Sequence, residues 1–402
     1  MKKVILRTLL VLAILIALLI LGIIYLIKVK NSYEVITKDV EYTDSLRYAK
    51  SGHIIIDVYI NDLKKSYPFI LDNGASTIIF DNLLEEIDLN IVAYSPTRDA
   101  SKSISFNPIY KLNKIELESG IIVENIAAEN FNSDFFTCNK NVYGIIGRDI
   151  MKYFVWQFDF ANNSYTVKSD TNIVLNNENV ISIPLNKFSK TKDYMELSIN
   201  NNKKKLVVDL GSTSSIRYEL ASDSIEYYFK HTNKKIIGDS GYGLNGKAKN
   251  RDNYVILFHE VKINNNVFNN VEGSVSNRTA DIIGLKFLKN FKTTFNFPRN
   301  TLTLEPNDSL IFRIGHFGYS PEMKDNKMFI QVIIKNSQAD KLGLKVGDEI
   351  IKINNTNIDN NFNFCKYNIS ELDTLELSIK RNNIIKNYTI IRDYYFINGS
   401  SY

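Results

Sequence analysis

Phe-Ile-Leu-Asp-Asn-Gly-Ala-Ser-Thr-Ile-Ile, residues 69–79, decides how this chain is read. Apolar Phe69, Ile70 and Leu71 deliver Asp72 towards Gly74, and small hydroxyl residues follow before the chain turns apolar again. The pattern predicts a buried strand ending in a tight turn, with one carboxylate held at the strand's end. An ionised carboxylate in such a place is costly without partners. The pattern returns once, as Leu206-Val207-Val208-Asp209-Leu210-Gly211-Ser212-Thr213. Either Asp alone reads as a turn cap, since Asp is common at turns. Two of them suggest a pair.

The echo extends beyond the two aspartates. Asp209 follows Asp72 by 209 − 72 = 137 residues, and Ile145-Ile146-Gly147 recurs as Ile282-Ile283-Gly284 at the same offset. Phe154 then meets Phe291, Phe158 meets Phe295, Phe160 meets Phe297 and Asn163 meets Asn300. Upstream, Tyr59-Ile60-Asn61 resembles Ser198-Ile199-Asn200 with a shift of two residues, as a change in hairpin-loop length would give. A period this long exceeds those of solenoids and fits a tandem duplication of one small β domain.

On these residues the chain resembles the pepsin/retropepsin-like aspartic proteases, with two lobes in one polypeptide. The resemblance spans roughly Gly52 to Glu305. It rests on Asp72-Asn73-Gly74-Ala75-Ser76, Asp209-Leu210-Gly211-Ser212-Thr213 and the two Ile-Ile-Gly strands. It implies a catalytic pair, Asp72 and Asp209, supported by Gly74 and Gly211 in tight loops. Ser76 and Thr213 are expected to hydrogen-bond the outer carboxylate oxygens. Tyr94 to Pro108 sits where the family places its flap hairpin. Two residues depart from the pattern: Asn73 and Leu210 stand where the family has Ser or Thr, whose hydroxyl bonds across to the opposite loop. Asn73 can make such a bond and the Leu210 side chain cannot.

Two carboxylates in contact can hydrolyse an amide without metal or nucleophilic side chain. Like charges so close do not both ionise easily, so one proton is lost readily and the other retained, giving a base and an acid.

Of the 49 basic residues, Lys2, Lys3, Arg7, Lys28 and Lys30 lie in the first thirty positions. Beyond them 49 − 5 = 44 basic residues face 44 acidic ones. A neutral body argues against nucleic-acid binding through phosphate neutralisation. Cys138 and Cys365 fall in different predicted domains, and His53, His231, His259 and His316 are scattered, so neither a disulfide framework nor a zinc site is expected. No cofactor is implied. Leu9 to Ile27 is 19 residues without charge, enough to cross a bilayer as a helix. The expectation is an uncleaved single-pass anchor with the other domains extracytoplasmic; a cleaved signal peptide is the alternative. Asn31 to Lys50 reads as a linker or a first edge strand.

Past Asp308 the pattern changes. The run from Asn336 to Asn354 gives a short Ala-containing helix, a stop at Gly343, a turn at Gly347-Asp348 and an alternating strand. It resembles bacterial PDZ domains. The resemblance implies that Phe317-Gly318-Tyr319-Ser320 forms a loop capturing a peptide's terminal carboxylate, with the peptide adding as a strand to the sheet edge. Two motif-like stretches carry little. Gly238-Asp239-Ser240-Gly241 lacks a partnering His motif. Gly241-Tyr242-Gly243-Leu244-Asn245-Gly246 opens no apolar-faced helix. Aromatic Tyr394-Tyr395-Phe396 reads as a frayed strand end.

The expectation is therefore mainly β, with a transmembrane anchor (1–30), two protease lobes (31–170 and 171–306) and a PDZ domain (307–397). The function implied is a membrane-anchored aspartic endopeptidase acting on peptides or proteins, with a PDZ ligand as second partner. The alternative is a catalytically inactive lobe pair serving as a peptide-binding scaffold.

Overall fold

The structure, a computed structural model, describes residues 2–99, 102–132, 141–173, 179–189, 192–221, 234–238, 242–244, 246–247, 252–312, 315–359, 362 and 372–393. Cys138, Cys365, His231, the Asp239-Ser240-Gly241 run and Tyr394 to Phe396 lie outside the described residues.

The chain opens as one helix, Lys2–Lys30. Nothing in Leu9–Ile27 interrupts helical propensity except Gly22, and the apolar stretch is about 28 Å long at 1.5 Å per residue. This helix is long and apolar enough to cross a membrane. Its last turn is half-buried against the body of the protein at Leu26, Val29 and Lys30.

Asn31 to Lys50 does not run free. Glu34–Val35, Glu41–Ser45 and Arg47–Tyr48 are short strands paired respectively with Ile122–Phe131, Ser164–Lys168 and Ile54–Ile60. Of the two expectations for this segment, the edge strand holds and the linker does not. Sheet edges accept polar strands because only one face needs burial.

Both lobes follow one plan. Strand Ile54–Ile60 alternates buried residues with half-buried or exposed ones. It reverses at Asn61 and Asp62, where φ is 49° and 62°, and returns as Ser66–Asp72. Asn and Asp tolerate this left-handed backbone better than other side chains. Lobe two repeats the reversal at Asn200 and Asn201 (φ 47° and 65°) and returns as Asn202–Asp209. Each returning strand is then flanked in parallel by an Ile-Ile-Gly strand, with Gly147 opposite Asp72 and Gly284 opposite Asp209. A hairpin formed by Ile91–Arg98 and Ile104–Leu117 rises from lobe one.

The lobes meet in a shared six-stranded sheet. At its centre Val155–Asp159 runs antiparallel to Phe291–Asn296, with Gln157 opposite Thr294. These partners are themselves 137 apart and hydrogen-bonded, Nε2 to Oγ1 at 3.0 Å. The repeat offset is thus also the distance in sequence between these two residues that touch where the lobes meet. Trp156, Phe158 and Phe295 bury their rings at this seam.

The C-terminal unit has its own core, including Phe317, Met328, Ile330, Leu344, Ile350 and Leu377. Its helix Gln338–Lys341 is capped by the Ser337 hydroxyl, which accepts from the Asp340 amide. Gly343 and Gly347 turn the chain at φ 80° and 91°. Strand Lys235–Gly238 of lobe two pairs with Lys327–Ile334 of this unit, so one sheet runs through both.

Candidate active site

Asp72 and Asp209 end the two equivalent strands and face each other across the lobe boundary. The turns that present them are built identically. The Ala75 amide bonds the Asp72 carbonyl and the Ser212 amide bonds the Asp209 carbonyl, both at 3.4 Å. The Ala75 and Ser212 carbonyls then accept from the Arg148 and Leu285 amides, both at 2.8 Å. The opposite lobe presses on both glycines, Gly211 the harder. A Cβ on Gly211 would lie 2.1 Å from the Asp72 carboxyl carbon, and one on Gly74 would lie 3.0 Å from that of Asp209.

Burial is the first cause that raises both carboxyls above the usual range, strongly for Asp72, where the charge of Asp209 adds to it. The Gly74 amide, donating to Asp72 Oδ1 at 2.7 Å, opposes the shift. A hydrogen bond with the Asp72 carboxyl, then Arg217 and the Gly211 amide, oppose it at Asp209. The pair therefore holds a proton over a wider pH range than two free aspartates would.

Asn73 makes both halves of the cross-link between the loops. Its Nδ2 donates to the Val208 carbonyl at 2.7 Å, and its Oδ1 accepts from the Leu210 amide at 2.9 Å. The amide side chain is fully buried and satisfied at both ends. Leu210 needs no hydroxyl here, and its side chain packs in the main core. Ser76 and Thr213 differ from the expectation. Both line the cleft, but neither hydroxyl is seen on a carboxylate; Ser212 and Ser214 instead bond each other at 2.7 Å.

His53 adds a second tie between lobes. Its Nε2 lies 3.0 Å from the Gly211 carbonyl and its Nδ1 2.6 Å from the Ser51 hydroxyl. Burial pushes this imidazole down to about 4. A neutral ring donating from Nε2 and accepting at Nδ1 satisfies both contacts. A third tie is the buried fork of Arg148 to Asp193, with Nε to Oδ2 at 2.6 Å and Nη2 to Oδ1 at 2.7 Å.

The carboxylates open into a cleft of about 710 Å³ between the lobes. Pro96, Thr97, Arg98 and Asp99 of the lobe-one hairpin line it, as do Gly243 and Leu244 of lobe two. Its walls match in pairs, Ile70 with Val207 and Ile145 with Ile282, until Ile78 meets Arg217. Strand pairing sets Ile78 opposite Ile145 and Arg217 opposite Ile282. One wall is therefore apolar where the other is cationic. Arg217 Nε and Asp209 Oδ1 are both buried atoms without a hydrogen-bond partner among the described residues.

Sequence reasoning passed over Arg217, His53, Arg148 and Asp193. A signal existed for Arg217: a charge between apolar Ile216 and Tyr218, in the second copy of a repeat whose first copy reads Thr77-Ile78-Ile79 in the register of the strands. Nothing local marks Arg148 and Asp193 as partners.

In the C-terminal unit, Phe317 lies in the loop before strand Tyr319–Lys324 and buries its side chain in the core of the unit. Gly318 takes φ 82°, and its carbonyl accepts from the Ile334 amide at 2.8 Å. Tyr319 and Ser320 begin strand Tyr319–Lys324, which pairs along one edge with Lys327–Ile334. Among the described residues no second strand pairs with it, and a sheet edge is where a peptide can add as a strand.

Residues 310–361 match the PDZ domain family. No curated protein matches the chain. The C-terminal unit is thus a PDZ domain, a module that binds peptide or protein ligands.

Proposed function

We propose that the chain is an aspartic-type endopeptidase whose PDZ domain binds peptide or protein termini near the cleft. The observation that carries this reading is the facing of Asp72 and Asp209 through identically built turns inside a cleft large enough for a peptide. In the reaction the ionised member of the pair takes a proton from water as its oxygen attacks the scissile carbonyl carbon. The protonated member gives its proton to the substrate, and the leaving nitrogen departs as an amine while the carbonyl becomes a carboxylic acid. Water is consumed and the pair recovers its shared proton. Asn73, bonding the opposite loop twice, supports this reading over that of an inactive scaffold, because the cross-link that Leu210 cannot supply is made by another residue. The PDZ edge raises the local concentration of bound substrate.

The test is cleavage of a diverse peptide library by the full chain from acid to neutral pH, beside Asp72→Asn and Asp209→Asn. Loss of cleavage in both variants supports the shared pair. Binding without cleavage at every pH would leave the scaffold.

A further inference from the structure

We propose that the cleft opens at a bilayer surface and takes the juxtamembrane segments of membrane-embedded proteins. This rests on the protease reading for its chemistry, but its geometry stands apart from it. Lys30, the last residue of the N-terminal helix, lines the same cleft as Asp72 and Asp209. Its Nζ donates to the Ser95 hydroxyl at 2.8 Å and forms an ion pair with Glu129, which also accepts from the Thr97 hydroxyl. Glu129 is buried, so Lys30 is built into the cleft wall rather than waving above it. Five residues earlier, the Tyr25 hydroxyl donates to the Val92 carbonyl at 3.0 Å.

The uncharged stretch ends at Ile27, three residues before Lys30. At 1.5 Å per residue the cleft wall begins about 4.5 Å beyond the apolar boundary. Directly after the helix, the Tyr33 hydroxyl donates to the Asp149 carbonyl at 3.0 Å, and Glu34–Val35 joins the lobe-one sheet. No slack separates helix and lobe. Cleavage of the helix as a signal sequence between Ile27 and Lys30 would cut into this joint. With the helix across a membrane, the cleft lip lies at the headgroup layer, which is roughly 5–7 Å thick. The ten residues following a neighbouring transmembrane segment reach about 33 Å when extended, enough to cross that layer and lie through the cleft.

The experiment uses the full chain in phospholipid vesicles with two single-span reporters carrying one cleavable sequence. In one the sequence abuts the membrane span; in the other a 30-residue proline-rich spacer holds it about 90 Å away. Preferential cleavage of the near reporter, at least tenfold, is expected. Equal cleavage of both, lost in Asp72→Asn, would overturn the inference and leave the protease reading intact. An arm independent of catalysis places a benzophenone photo-crosslinker at Pro96, on the exposed face of the strand that meets Lys30, in an Asp209→Asn chain. Crosslinks to lipid and to the near reporter are expected. Crosslinks without any cleavage by the unaltered chain would sink the protease reading while supporting the placement of the cleft. Absence of both crosslinks overturns the placement.

Discussion

The Leu210 amide donates to Oδ1 of Asn73, 137 residues away, while the Asn73 amide group donates back to the neighbouring Val208 carbonyl. One side chain thus carries a link that two symmetric hydroxyls would otherwise share. Asn73→Ala leaves a buried amide and a buried carbonyl unpaired, and each unsatisfied group costs about 1–3 kcal/mol. A loss of about 2–6 kcal/mol in denaturant unfolding is expected. Leu210→Thr, although it restores the hydroxyl type, exchanges core packing for a polar group and should destabilise by about 1–3 kcal/mol.

The glycines of the two turns are not equivalent. A methyl on Gly211 collides with the Asp72 carboxyl, whereas one on Gly74 meets Asp209 at a distance that a small shift relieves. Gly211→Ala should abolish cleavage without unfolding the chain. Gly74→Ala should retain measurable activity, and comparison of kcat for the two variants decides.

Two buried groups pull stability in opposite directions with pH. Asp72 and Asp209 are raised on folding, so the native chain binds more protons than the unfolded one above about 3.9, and stability falls as pH rises through that window. His53 is lowered to about 4 from 6.5, so the unfolded chain binds more protons there, and stability falls as pH drops from about 6.5 to about 4. Urea midpoints across this range should lose their alkaline-side decline in Asp72→Asn and their acid-side decline in His53→Gln.

Arg217 breaks the symmetry of the cleft walls beside a buried atom of its own that lacks a partner. Peptides with Asp or Glu near the scissile bond should be cut faster than their Asn or Gln counterparts. Arg217→Ile, which copies Ile78 of the other wall, should erase or reverse that preference in a paired-peptide competition.

Arg148 and Asp193 tie the lobes through a pair buried on both sides. Arg148→Ala strands a buried carboxylate and should cost about 3–5 kcal/mol. Arg148→Met with Asp193→Leu should recover much of that loss in thermal unfolding, because the desolvation penalty then vanishes on both sides.

What could be read without coordinates was whatever repeats or alternates locally. Asp72 with Asp209, the hairpin echo at Asn61 and Asn200 and the short helix stopped at Gly343 all announce themselves through spacing or turn chemistry. That Asn73 could bond across to the opposite loop was legible from its side chain; that it also accepts from the Leu210 amide was not, because this depends on the backbone of a strand 137 residues away. His53 looked like one scattered histidine until the Gly211 carbonyl stood beside it. The strands between Asn31 and Lys50 are short and polar, and their pairing is dictated by edges that other segments leave open.

The strand Lys235–Gly238, shared between lobe two and the PDZ domain, bears on how such a protein can be taken apart or recombined. A Cβ on Gly238 would lie 2.1 Å from the Gln331 carbonyl oxygen, so the seam is as tight as the interior of a single domain. The PDZ domain is not a bead on a string that shuffling could exchange freely. A chain truncated before it would bare a row of unpaired backbone groups, an invitation to self-association. Any lineage that lost or swapped the module would have had to rebuild the border of its second lobe.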